Sequence, residues 1–293
     1  TGENDVRVIV IDQVDGFAYC GTNTAPGRVV KIQLSDFTRV DAITLETGEN
    51  AIYTGGIDRT SGFAYFGCRT GPGKIVRIQL SDFTRVGAIT LETGENYPAS
   101  TCINLLTGAM YVGLETLPGQ IIPINLATFT RGAALTLEEG ENYLYSVCID
   151  QVSGFAYFGT GTLVGIVVKV QLSPLSRIAA LTLESGERSL LSAVIDQPNG
   201  FAYFGCWPSP GRIVKIQLSD FTRVDAITLE TGENTLNRAV IDQPDGHAYF
   251  CTNTIPTVVI QIQLSDFTRV AAASGAALEG AGFGFDIDQP NAL

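Results

Sequence analysis

Residues 21–50 read GTNTAPGRVVKIQLSDFTRVDAITLETGEN, and residues 67–96 read GCRTGPGKIVRIQLSDFTRVGAITLETGEN. The two stretches keep LSDFTR and LETGEN almost letter for letter while TNTA becomes CRTG between them. The glycine of the T-G-E-N element falls at Gly2, Gly48, Gly94, Gly140, Gly186 and Gly232, each 46 residues after the last. A fixed period of about 40–50 residues is the signature of a repeat architecture, and it has to be settled before any single residue is interpreted. Six copies fill residues 1–276, and a partial copy over 277–293 follows.

Each copy reads as four short strands and no helix. Val6–Asp12 (VRVIVID) is apolar almost throughout, as in a strand buried on both faces. A D-Q-x-[D/S/N]-G turn comes next, at Asp12–Gly16, Asp150–Gly154, Asp196–Gly200 and Asp242–Gly246. Asp or Asn with Gly suits a tight hairpin. Phe17–Thr22 (FAYCGT) supplies aromatic bulk, and Arg28–Leu34 (RVVKIQL) alternates apolar and polar side chains. The S-D-F-T turn then leads into Arg39–Glu46.

Four antiparallel strands per copy describe the blade of a β-propeller, so the expected fold is all-β and six-bladed, in one domain over 1–293. A count of seven is the fallback, because GFGFDID at 282–288 aligns with first strands. That segment offers either ring closure or self-association by strand pairing between chains. The I-D…G-x-A-Y-F-G…V-x-K-I-x-L core resembles the β-propeller repeat superfamily, in particular its YVTN-like and NHL-like members on surface and extracellular proteins. The resemblance implies an extracellular or cell-surface location. No W-D dipeptide is present and no double glycine recurs.

Composition narrows the function. The net charge is −12, with 18 basic against 30 acidic residues, and the four lysines (Lys31, Lys74, Lys169, Lys215) are dispersed. Nucleic acid is therefore an unexpected partner, since affinity for phosphate rests on clustered Lys and Arg. No apolar run reaches the roughly 18 residues of a membrane helix. Six cysteines occur without metal-ligand spacing and without recurring in every copy, which favours buried thiols over a disulfide framework.

Comparison of the copies separates two ends of the blade. Alternate turns share an end, so the first and third turns lie together and the second loop lies beside the link to the next blade. The first pair is nearly invariant: Arg39, Arg85, Arg131, Arg177, Arg223 and Arg269 recur without exception, and a corner Phe yields only once, to Leu175. The second pair diverges. One loop position carries Asn23, Arg69, Glu115, Gly161, Trp207 and Asn253 in turn. The links contribute Tyr53, Tyr97, Tyr143, Tyr145, Asn237 and Arg238. Dissimilar residues gathered on loops of a rigid scaffold are the usual carriers of binding, and exposed Trp and Tyr beside Arg are common anchors.

The sequence therefore points to a non-enzymatic recognition or assembly module with a protein or glycan partner on the variable end. The alternatives are a lectin-type propeller centred on Trp207 and a metal-dependent, lactonase-like hydrolase. The hydrolase reading needs a ring of carboxylates, and Glu3, Glu49, Glu95, Glu141, Glu187 and Glu233 follow the repeated glycine. Turned toward a channel, they would offer oxygen ligands to Ca²⁺; otherwise no cofactor is expected. The same Glu in every copy fits a local structural task better, because lactonase-like sites take dissimilar residues from different blades. His247, the sole histidine, replaces a Phe at the invariant end, so a Ser-His-Asp triad is not expected.

Overall fold

In each repeat the first strand is folded back by an Asp–Gly turn (Asn104–Gly108 in the third) onto the second strand, and the third and fourth strands follow in the same way. The computed structural model describes residues 2–275, which form six four-stranded antiparallel sheets, each in the order first–second–third–fourth. Blade 1 comprises Val6–Asp12, Phe17–Thr22, Arg28–Gln33 and Thr38–Thr44. Blade 2 comprises Ile52–Asp58, Phe63–Cys68, Lys74–Gln79 and Thr84–Thr90. Blades 3 to 6 begin at Pro98, Leu144, Leu190 and Leu236. The fold is a six-bladed β-propeller with no helix among the described residues, so the seven-blade count is set aside. The partial repeat at 277–293 and the self-pairing strand at 282–288 lie outside the described residues.

Blades 1–3 belong to one compact unit and blades 4–6 to a second, divided between Thr136 and Leu137. Within each unit the core runs along the second and third strands. Tyr65, Phe66, Val76 and Ile78 are sealed in the first unit, and Tyr203, Phe204, Val214 and Ile216 in the second.

Neighbouring blades are fastened by the S-D-F-T corner. The corner Phe adopts a left-handed backbone, with φ between 50° and 55° at the five positions that carry it. This conformation is uncommon for a bulky residue. At four of the five, Phe37 being exposed, it lays the ring against the second-strand Tyr of the preceding blade: Tyr19–Phe83 at 5.7 Å and Tyr65–Phe129 at 5.9 Å in the first unit. The second unit has Tyr157–Phe221 at 5.8 Å and Tyr203–Phe267 at 5.5 Å. A third-strand cation fills the remaining gap. Lys31 Nζ lies 3.8 Å from the Phe17 centroid and 5.6 Å from that of Phe83. Lys215 repeats this against Phe201 and Phe267, at 4.0 and 5.4 Å. Such contacts contribute most where the cation is desolvated, and Lys215 is buried.

One strand departs from the uniform pattern. The fourth strand of blade 3 is broken into Thr130–Arg131 and Leu135–Thr136. The third strand beside it carries Pro123, which has no N–H to give the ladder. Gly132 N–H still donates to the Pro123 carbonyl at 2.8 Å, and pairing resumes only at Leu135.

Among the described residues all six cysteines are free thiols, and every one except Cys20 is buried. Burial pushes the Cys20 thiol up to about 11 and those of Cys68 and Cys102 to about 12.

Candidate functional site

The two blade ends separate as the repeat comparison predicts. At the invariant end, Gln33 Nε2 donates to the Gly16 carbonyl at 3.0 Å, which ties the third-strand terminus to the first turn. At the variable end, second loops and inter-blade links are stitched by backbone hydrogen bonds. In the first unit Asn23 N–H donates to Asp5 O, Arg69 N–H to Ala51 O, and Glu115 N–H to Tyr97 O, at 2.8–3.0 Å. In the second, Gly161 N–H donates to Tyr143 O, Trp207 N–H to Arg188 O, and Asn253 N–H to Thr235 O. All six divergent loop positions are therefore held by main chain, and their side chains are free to differ.

Two backbone irregularities set the direction of the link residues. Asp5, Ala51, Tyr97, Tyr143, Ser189 and Thr235 have φ of 47–58°. Two residues later the first strand bulges, so Arg7, Tyr53, Tyr145 and Asn237 have no opposite number in the second strand. Bulges re-aim side chains in this way.

In the first unit these devices assemble a ladder. The Arg7 guanidinium lies 5.3 Å from the Tyr53 centroid. Arg69 lies 5.1 Å from Tyr53 and 5.3 Å from Tyr97, so it is layered between the two rings. Both cations are anchored: Arg7 Nε is 2.7 Å from an Asp5 oxygen, and Arg69 donates to Glu115 Oε2 from Nε at 2.8 Å and from Nη2 at 2.5 Å. Asn23 Nδ2 donates to Asp5 at 2.7 Å. Asn23, Tyr53, Arg69, Tyr97 and Glu115 thus fall in one connected cluster. Sequence comparison had not singled out Asp5 or Arg7 as site residues; an acid and a base two positions apart at a divergent link were the available signal.

The second unit is built differently. Tyr143 and Tyr145 stack at 6.0 Å with only 9° between their planes. Gly161 makes room for them, since a Cβ there would stand 2.3 Å from Tyr145 Cε2. Trp207 is half exposed, in a loop with Pro208 and Pro210. Asn237 is buried, and its main-chain carbonyl accepts from Arg238 Nη1 at 2.6 Å. Asn253 is exposed.

The carboxylate ring is a different matter. Each repeated Glu is clamped by the repeated Arg of its own blade, 36 residues on. Arg85 donates to Glu49 at 2.9 and 2.5 Å, Arg177 to Glu141 at 2.5 Å and Arg223 to Glu187 at 2.6 Å. Glu3–Arg39, Glu95–Arg131 and Glu233–Arg269 repeat the arrangement. In the five from Glu49 onward the second carboxylate oxygen also accepts from the N–H three residues earlier, as Glu49 does from Glu46 at 3.0 Å. Burial alone would raise these carboxyl pKa values. The Arg hydrogen bond, the backbone N–H and the Arg charge together outweigh it, so Glu49, Glu95, Glu187 and Glu233 sit below the ordinary carboxylate value. Oxygens committed to guanidinium and main chain are poor Ca²⁺ ligands, and no group of three or more His, Cys, Asp or Glu converges among the described residues. The Arg clamp is a local structural task of the kind that the repetition of this Glu fits, and the alternative of an open carboxylate ring has no free oxygens to rest on. His247 lies at the invariant end, 6.3 Å from Tyr249.

No protein-family model matches the chain, and no curated protein matches it in sequence. Among solved structures it is similar to U3-55K, with a TM-score of 0.77 and 9% identity over 98% of this chain and 86% of that one. It is likewise similar to the WD40 repeats of RRP9, at TM-score 0.77 and 10% identity over 98% and 84%. At such identity the likeness is one of fold, and it is reached without a W-D dipeptide. The propeller expectation therefore stands, while the YVTN-like and NHL-like assignment finds no match.

Proposed function

We propose that the chain is a non-enzymatic recognition module that binds a protein partner through the variable end of its blades. The observation that carries this reading is the Arg7–Tyr53–Arg69–Tyr97 ladder. Alternating guanidinium and phenol planes, each cation held by its own carboxylate, give a pre-ordered, amphipathic surface of the kind that concentrates binding energy at protein interfaces. The fold likeness to WD40 propellers agrees with an interaction role. Panning a displayed random-peptide library against the immobilised chain tests it. Selected peptides should lose at least tenfold in affinity for Arg69→Ala and keep it for Asp36→Ala at the opposite end. Peptides indifferent to Arg69→Ala, or no enriched binders, would refute the reading.

A second reading, glycan binding, is favoured by the half-exposed Trp207, which precedes the loop prolines Pro208 and Pro210. Aromatic faces stack on sugar rings, so glycan-array signals abolished by Trp207→Ala would select this reading over the first. The hydrolase alternative has no such support, because its carboxylates are occupied by Arg.

A further inference from the structure

Three blades carry a long cation at the start of the third strand: Arg28, Lys74 and Arg212. In each the side chain reaches the glycine of the T-G-E-N element, or of its S-G-E-R counterpart in blade 5, beside the repeated Glu. A Cβ on Gly48 would meet Lys74 Nζ at 3.2 Å, and Cβ atoms on Gly2 and Gly186 would meet Arg28 and Arg212 Nη1 at 3.5 and 3.4 Å. Arg28 Nη1 is 3.7 Å from Glu3, and Arg212 Nη1 donates to the Ser185 carbonyl at 3.4 Å. In blades 2 and 5 this cation completes a neutral quartet: two glutamates, the clamping Arg and the crossing Lys or Arg.

Blade 6 lacks the crossing cation. Val258 occupies the position 46 residues after Arg212, and a Cβ on Gly232 would meet nothing within 4 Å. A cleft of ≈ 460 Å³ opens in its place, lined by Glu230, Glu233, Thr254, Ile255, Pro256 and Val258 among others. Arg269 balances only one of the two glutamates, bonding Glu230 at 3.1 Å and Glu233 at 2.6 Å. Gln120 and Ile166 leave Gly94 and Gly140 uncovered as well, but each is longer than Val258.

We infer that this cleft is a binding site for an alkylammonium group, the side chain of a lysine on a partner being the natural form. The site is a position that the chain itself fills with Arg28, Lys74 and Arg212 elsewhere and vacates here. Its chemistry divides as such a ligand requires. Ile255, Pro256 and Val258 face an aliphatic stem, and the exposed Glu230 carboxylate and the Thr231 carbonyl, equivalent to that of Ser185, await the ammonium head. Removal of the head from water is offset only by an opposite charge and acceptors, which this cleft holds. The cleft lies in blade 6 and is independent of the ladder in the first unit.

The test is a titration of the full ¹⁵N-labelled chain with n-butylammonium chloride, with n-butanol as the neutral probe of equal stem. Amide shifts at Thr231, Gly232, Thr254 and Ser274 should saturate with the amine in the millimolar range, and the alcohol should bind at least tenfold more weakly. Val258→Lys, which restores the internal cation, should abolish the response while leaving the remaining spectrum in place; Val258→Leu should keep charge selectivity. No saturable shift, equal response to amine and alcohol, or a response that survives Val258→Lys would overturn the inference.

Discussion

At Glu95 the carboxylate is buried, and its one cation is Arg131, largely buried itself. Removing one partner of such a pair strands a charge and costs about 3–5 kcal/mol. Arg131→Ala should lower the urea midpoint accordingly, and Arg131→Lys should recover only part of the loss, because a point charge cannot reproduce the guanidinium fork. The invariance of the Arg was legible in the sequence as a structural task. Its partner was not. The two residues stand 36 positions apart, and only the path of the chain around the blade brings them together. For the same reason the repeated Glu admitted a metal reading: its identity is local, but its partner is tertiary.

Strand number, strand order and the blade ends followed from periodicity, because each depends on patterns inside 46 residues. The break in the fourth strand of blade 3 was equally local in cause, through Pro123, but a reading that treated the copies as alike passed over it. The corner latch was visible only as a recurring Phe. Its left-handed backbone and its packing on the preceding blade's Tyr needed coordinates. The latch gives a sharp contrast between identical residues. Phe83 is 7% exposed and Phe37 is 83% exposed. Phe83→Ala should cost about 3–5 kcal/mol, the usual range for a buried Phe. Phe37→Ala should stay within about 0.5 kcal/mol. Equal effects on the urea midpoint would show that the corner acts through its backbone turn rather than through its ring. The variable end shows the same limit: the dissimilar residues could be listed from the sequence, but that Arg69 is layered between Tyr53 and Tyr97 depends on the bulge and the positive φ that aim them.

Across the blades four of the clamps share one acid response. Glu49, Glu95, Glu187 and Glu233 all titrate lower in the folded chain than in the unfolded one. The unfolded chain therefore binds more protons in acid, and stability rises with pH over that window. The contribution is complete above the unfolded Glu value of about 4.3 and is lost as pH falls through the lowered folded values. Urea midpoints should hold steady from pH 7 to 5 and fall steeply below about 4, with a shallower fall in Glu95→Gln measured against its own neutral-pH value. The thiols give a second global readout. Burial raises the pKa of Cys20, Cys68, Cys102, Cys206 and Cys251, so little thiolate exists at pH 8. An aromatic disulfide reagent should modify the native protein slowly, Cys20 first, and all six sites rapidly in denaturant. Fast stoichiometric labelling without denaturant would contradict the buried placement.

The clamp closes inside one repeat, and the latch reaches only to the repeat before it. Genetic duplication or deletion of 46 codons in frame would thus hand on each of these Glu–Arg clamps intact and remake a matching seam at the join. A gene built this way can change length by recombination between its own near-identical segments, leaving selection free to diversify the loops copy by copy.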